Sequence, residues 1–112
     1  MQNILDDYIA MNQAGQVLEL CKKYYHENVL MLSNGAVFAQ SMQEAYEKQK
    51  KFIGSVKSFN VILSSQQIEG DIVELIFNYK IVGENTKLVS FTGKHIQTWK
   101  HKKIVKEEYH SI

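Results

Sequence analysis

Ile72-Val73-Glu74-Leu75-Ile76-Phe77-Asn78-Tyr79-Lys80-Ile81 is the stretch on which the fold turns. Val73, Leu75, Phe77, Tyr79 and Ile81 occupy alternate positions, and a period of two sends all five to one face of an extended chain. Glu69-Gly70-Asp71 before it and Gly83-Glu84-Asn85 after it are turn signatures, so both neighbouring segments return as antiparallel partners. The preceding segment carries Phe59, Val61 and Leu63 on one face from Ser58 onward and runs towards Ile68. The following segments, Leu88 to Lys100 and Ile104 to His110, complete a four-stranded meander with two long middle strands. The sequence contains no proline, so curvature must come from bulges and from Gly93, a glycine inside a strand that marks a bend.

Upstream of the meander the period is helical. Ile4, Leu5, Tyr8, Ile9 and Met11 predict a first helix over Gln2 to Gln13, with Asn3, Asp6 and Asp7 near its positive end. Gly15 punctuates the pattern, and Val17, Leu18, Cys21, Tyr24 and Tyr25 predict a second helix with Lys22 and Lys23 near its negative end. Val29 to Leu32 is a short strand closed by the turn Ser33-Asn34-Gly35. Ser41 and Glu44 match a capping box, and Met42, Ala45, Tyr46, Gln49, Phe52 and Ile53 predict a third helix over roughly 42 to 53, stopped by Gly54. Helices first and a meander afterwards imply segregated layers, an α+β fold whose sheet buries one face beneath the helices.

The 112 residues are expected to form a single domain over 1–112, with 45% hydrophobic and 22% charged residues. Thirteen basic residues face 12 acidic ones for a net charge of +1, so neither nucleic acid nor an anionic membrane is an expected partner. Every basic residue is a lysine, which withholds the bidentate arginine fork and disfavours a dedicated phosphate site. Cys21, the only cysteine, reads as a small buried hydrophobe, and the expected compartment is the cytoplasm. Residues 1 to 30 show neither a signal peptide nor a membrane span, because Asp6, Asp7, Gln13, Gln16 and Glu19 interrupt the apolar residues. His95, His101 and His110 are too scattered for a metal, and no cofactor is expected. Lys100, Lys102 and Lys103 read as a solvated turn, and neither a phosphate loop nor a G-x-S-x-G nucleophile motif is present.

Tyr24-Tyr25-His26-Glu27-Asn28-Val29 after the second helix, and Trp99-Lys100-His101-Lys102-Lys103-Ile104-Val105-Lys106-Glu107 across the last hairpin, resemble the SnoaL-like branch of the NTF2-like superfamily over essentially the whole chain. Members of that branch often read Tyr-Tyr-Ala-Asp-Asp-Val and Trp-Lys-Asp-Gly-Lys-Ile-Val at those places. The resemblance implies three N-terminal helices on a curved, mainly antiparallel sheet that closes into a cone. It says little about activity, since the superfamily holds isomerases, dehydratases, cyclases, epoxide hydrolases and proteins without known reactions. In place of Asp-Gly this chain has His101-Lys102, which asks a lysine to take a left-handed conformation. If the bulged turn of the relatives is kept, Gly93, His95, Gln97 and Trp99 share a side with Val105, Glu107 and Tyr109, and His95 lies across from Glu107.

That register directs His95, Gln97, Glu107, Tyr109 and Tyr79 into a cone otherwise lined by Phe77, Ile81, Val89, Phe91 and Trp99. Polar groups converging in an apolar hollow describe a ligand site. Desolvation would raise the carboxyl pKa of Glu107 and a nearby imidazolium would oppose it, which would suit general acid/base chemistry. His95, Glu107 and Tyr109 are therefore the candidate catalytic residues, and Tyr8, Phe77, Tyr79, Phe91, Gln97 and Trp99 the candidate ligand contacts. The plain alternative is that His95 and Glu107 satisfy each other in the core and that Tyr8 and Tyr79 are core aromatics. By likeness to the ketosteroid isomerase branch, Tyr8 corresponds to a hydroxyl donor, Ser33 falls near the position of the base and His95 replaces the second acid. Serine cannot be that base, so steroid isomerisation of that kind is not expected.

Three functions remain open on these residues: acid/base catalysis on a small hydrophobic molecule, non-catalytic binding of one, and partner binding. For the last, Ile62, Ile76, Leu88 and Ile96 among Asn78, Lys80, Ser90, Thr92 and Thr98 on the outer sheet face suit a homodimer.

Overall fold

The computed structural model describes residues 1–85 and 87–112. In chain order the elements are α1 (Gln2–Gln13), α2 (Val17–Tyr24), β1 (Tyr25–Ser33), β2 (Ala36–Ala39), α3 (Met42–Gly54), β3 (Val56–Glu69), β4 (Ile72–Gly83), β5 (Leu88–Lys100) and β6 (Lys103–Ser111). The strands form one six-stranded sheet in the order β2-β1-β6-β5-β4-β3, and the three helices pack on it. The predicted meander is β3 to β6. It is extended by β1, which lies parallel to β6, and by β2, antiparallel to β1. The sheet is therefore mixed, and its parallel pair brings the start of the chain alongside its end.

The alternation of β4 is carried through in the burial. Val73, Leu75, Phe77, Tyr79 and Ile81 are all buried, whereas Asn78 and Lys80 are exposed. On α1 the buried residues are Leu5, Tyr8, Ile9 and Asn12, the one-face spacing of an amphipathic helix. Gly15, at a φ of 76°, turns the chain from α1 into α2. The second helix ends one residue earlier than its apolar pattern suggests, at Tyr24, and Tyr25 begins β1 with an extended backbone. At α3 the Ser41 Oγ accepts from the Glu44 N–H at 3.0 Å, while the Glu44 carboxylate reaches back to the N–H of Gln40 rather than that of Ser41. Gly54 is the last residue of α3, and the cap is Ser55 in a right-handed conformation.

The last hairpin turns on His101 and Lys102, at φ 51° and 64°, so two side-chain-bearing residues adopt the left-handed region. The bulge lies just beyond the turn. Trp99 pairs with Ile104 and Thr98 with Lys106, leaving Val105 as the extra residue. This shift makes Ile104, fully buried, the inward residue in place of the expected Val105. It also places Gln97 opposite Glu107 and His95 opposite Tyr109, correcting the expectation that His95 faces Glu107 directly. Gly93 is paired regularly on both sides, and its role is close approach: a Cβ there would lie 2.4 Å from the ring of Tyr109. Among the described residues no helix is long and apolar enough to cross a membrane.

Candidate functional site

Between the helical cover and the inner sheet face lies a cavity of about 270 Å³. Tyr8 and Asn12 reach it because they share the buried stripe of α1. Tyr79 and Ile81 enter from β4, Phe91 and His95 from β5, and Glu107 and Tyr109 from β6, each set two or four positions apart on one strand face. The parallel strand β1 adds Tyr25, Met31 and Ser33. The lip is formed by Phe38 of β2 with Gln49 and Phe52 of α3, and Phe52 is 43% exposed there.

Glu107 anchors the polar part. Its Oε1 accepts from the Tyr25 hydroxyl at 2.8 Å and its Oε2 from Gln97 Nε2 at 2.5 Å. The indole N–H of Trp99 donates to Gln97 Oε1 at 3.0 Å, and an indole can only donate, so the Gln97 amide must turn its NH₂ towards the carboxylate. His95 stands beside this group. Its Nδ1 lies 3.7 Å from Glu107 Oε2, an ion-pair separation too long for a hydrogen bond, and this buried nitrogen has no hydrogen-bond partner among the described residues. Its Nε2 meets the Tyr79 hydroxyl at 2.8 Å, and Asn12 Nδ2 donates to the same hydroxyl at a long 3.4 Å. A continuous polar chain thus runs from Asn12 through Tyr79 and His95 to Glu107.

Burial is the largest influence on the Glu107 carboxyl and acts to raise its pKa. The combined effect of the His95 imidazole, the Gln97 amide and the Tyr25 hydroxyl outweighs it and holds the carboxyl below its ordinary value. Of the two opposing influences expected from the sequence, the imidazole and its hydrogen-bonding neighbours prevail, and Glu107 is an anion at neutral pH. Burial, then the charge of Glu107, pushes the hydroxyls of Tyr8 and Tyr25 well above the usual phenol range. Tyr79 is raised chiefly by burial as well. All three hydroxyls therefore keep their protons at neutral pH. Burial also pushes the Cys21 thiol up to about 12, so it is no nucleophile.

Of the residues singled out from the sequence, Tyr8, Tyr79, Phe91, His95, Glu107 and Tyr109 line the cavity. Phe77, Gln97 and Trp99 do not. Phe77 and Gln97 are fully buried and Trp99 is 4% exposed, packed edge-on against Tyr8 and Tyr24, so they form the core behind the cavity wall. Val89 is likewise not a wall residue, being 48% exposed. Sequence reasoning missed Tyr25 and Asn12. Asn12 carried a signal, since it falls on the stripe of Leu5, Tyr8 and Ile9. Tyr25 carried none, because its role depends on where β1 docks. Among the described residues no three His, Cys, Asp or Glu side chains converge as a metal would require.

No protein-family model matches the sequence and no curated protein matches it. Solved structures do. An NTF2-like protein of unknown function from Burkholderia pseudomallei superposes with a TM-score of 0.83 at 8% identity, over 99% of this chain and 89% of that one. An uncharacterised cystatin-fold protein from Novosphingobium aromaticivorans gives 0.81 at 14% identity, over 96% and 94%. A protein named as a SnoaL-like polyketide cyclase from Mesorhizobium loti gives 0.79 at 17% identity, over 96% of each chain. The chain therefore has the NTF2-like α+β fold that its two motifs implied. Identities this low establish the architecture and leave the activity to the site.

Proposed function

We propose that the chain holds a small, largely apolar molecule of one or two rings in this cavity and exchanges a proton with it without a cofactor. The observation that carries the reading is a half-aromatic hollow of about 270 Å³ whose polar groups converge at one end. A cavity of about 150 Å³ already accepts benzene, so this one admits a substituted ring or a fused pair. The Tyr79 hydroxyl is the group placed to give a proton to the ligand. His95 Nε2, at 2.8 Å, re-protonates it, and the Glu107 carboxylate stabilises the imidazolium that supplies the proton.

Non-catalytic binding is the second reading. It is favoured by the occupancy of the polar atoms: both Glu107 oxygens and His95 Nε2 already have protein partners. A homodimer through the outer sheet face belongs to the same proposal, supported by Ile62 and Leu88, 58% and 59% exposed among polar neighbours. Neither nucleic acid nor a membrane is proposed as a partner, and a lone buried cysteine supports a cytoplasmic location.

Native mass spectrometry of protein purified without added ligand tests the reading. The expected result is a co-purified molecule of one- or two-ring mass that disappears when the cavity is filled by Ser33→Trp. Retention of the adduct in that variant would place the ligand elsewhere and overturn the proposal. Turnover of the identified molecule that is lost in His95→Gln, with binding retained, separates the enzyme from the binder.

A further inference from the structure

We propose that the ligand of this cavity is an organic cation, a protonated amine carried on an apolar ring. The inference rests on the reading that the cavity holds a small apolar molecule, and it adds the charge of that molecule.

The argument begins with the charges that line the hollow. Among the described residues Glu107 is the one carboxylate in the wall, no lysine lines it, and His95 is the only group there able to carry a positive charge. With a neutral imidazole the wall has a net charge of −1, and with a protonated one it has zero. In neither state is there a surplus positive charge, so a carboxylate or phosphate would be desolvated without compensation. A cation meets the opposite situation when the imidazole is neutral, because it then balances the charge of Glu107. The carboxylate offers about four acceptor positions and the protein fills two of them, through Tyr25 and Gln97.

The rest of the wall suits the same ligand. Tyr8, Tyr25, Phe59, Phe91 and Tyr109 line the cavity, and aromatic faces attract ammonium groups through their quadrupoles. Phe38, at the lip, already shows this behaviour: the Lys48 ammonium stands 5.1 Å from its ring centroid and donates to its carbonyl. That lysine is thereby engaged on the lip and does not line the cavity. Tyr79 and Phe91, which both line the cavity, stack on each other with centroids 4.9 Å apart and stiffen that part of the wall. Aromatic faces with one fixed carboxylate and no lining lysine or arginine form a cation cage of modest size.

The test compares three probes of equal shape on the intact chain at neutral pH: benzylamine, benzyl alcohol and benzoate, followed by NMR shifts at Met31, Phe91 and Tyr109. The expected order is benzylamine first, benzyl alcohol second and benzoate last, with at least about tenfold between first and last, the separation that 1.4 kcal/mol produces. Glu107→Gln should reduce the preference for amine over alcohol to within about twofold, while the unmutated comparison stands without that variant. Benzyl alcohol binding as tightly as benzylamine, or benzoate binding best, overturns the charge assignment and leaves the cavity reading intact. Failure of all three probes to shift these residues overturns both.

Discussion

Two neighbouring parts of the β5–β6 hairpin use similar side chains to opposite ends. At Gln97, Trp99 and Ile104 the chain makes closed core: indole, amide and carboxylate satisfy one another and exposure is 4% or less. Two positions further, at His95 and Tyr109, the same strand face borders a cavity and a buried nitrogen has no hydrogen-bond partner among the described residues. Strand alternation is common to both. What differs is the cover. Tyr8 and Tyr24 stand edge-on to Trp99 with centroids 6.1 and 5.6 Å away. Over the other end α3 buries only Ala45 and leaves Phe52 half in solvent. A site forms where the helices stop filling the inner face of the sheet.

The strongest way to break this contrast is to truncate one ring at each end. Phe77→Ala removes a fully buried ring from the closed end and should cost about 3–5 kcal/mol. Phe91→Ala, in a half-buried ring that already borders empty space, should cost less than about 2 kcal/mol because it mainly enlarges an existing hollow. Urea denaturation of the two variants measures both. Equal losses would show that the two ends are packed alike.

The difference between the ends is also where the sequence stopped being legible. Period-two alternation named the inner face of β4 and β5 correctly, and the helices were bounded to within a residue or two, because those signals are local. The bulge at Val105 has no local signature, yet it replaced Val105 by Ile104 as the inward residue and moved Gln97, not His95, opposite Glu107. The docking of β1 against β6 joins residues some eighty positions apart, so Tyr25 could not be read as a partner of Glu107. Alternation assigns Phe77, Gln97 and Trp99 to the same face as Phe91 and His95. Only the placement of α1 and α2 separates core from cavity wall within that face.

Glu107 sits where the two regions meet, and Glu107→Gln sharpens the boundary at intermediate cost. The Trp99 indole fixes the Gln97 NH₂ towards residue 107, so a glutamine there must turn its carbonyl to that NH₂ and its own NH₂ to the Tyr25 hydroxyl, which then accepts instead of donating, and both charge-assisted bonds are lost. A loss of about 1–3 kcal/mol is expected at neutral pH. The pH dependence has a definite sign. The folded carboxyl titrates below its ordinary 4.5, so between the two values the unfolded chain binds more protons and stability rises with pH. The contribution is complete above about 4.5 and is lost as pH falls through the folded value. Denaturation midpoints measured from pH 7 down to pH 3 should therefore fall more steeply for the parent chain than for the variant. Parallel curves would mean that Glu107 titrates normally.

Tyr79→Phe probes the open end alone and should have the smallest effect on stability. The substitution keeps the ring stacked on Phe91 and removes only the hydroxyl between His95 Nε2 and Asn12. His95 is partly open to the cavity, so water can replace the lost partner and the cost should be about 1 kcal/mol or less. The functional consequence is larger than the structural one. If Tyr79 passes the proton between His95 and the ligand, turnover should fall by about two to four powers of ten, the usual contribution of a general acid, with ligand affinity changed little. A hydroxyl that serves only to brace the imidazole predicts the reverse: affinity and rate shift together, by a few-fold, because the change lies in the orientation of His95. Steady-state kinetics on the ligand identified by mass spectrometry, with binding measured separately, distinguishes a relay in the cavity from an extension of the core.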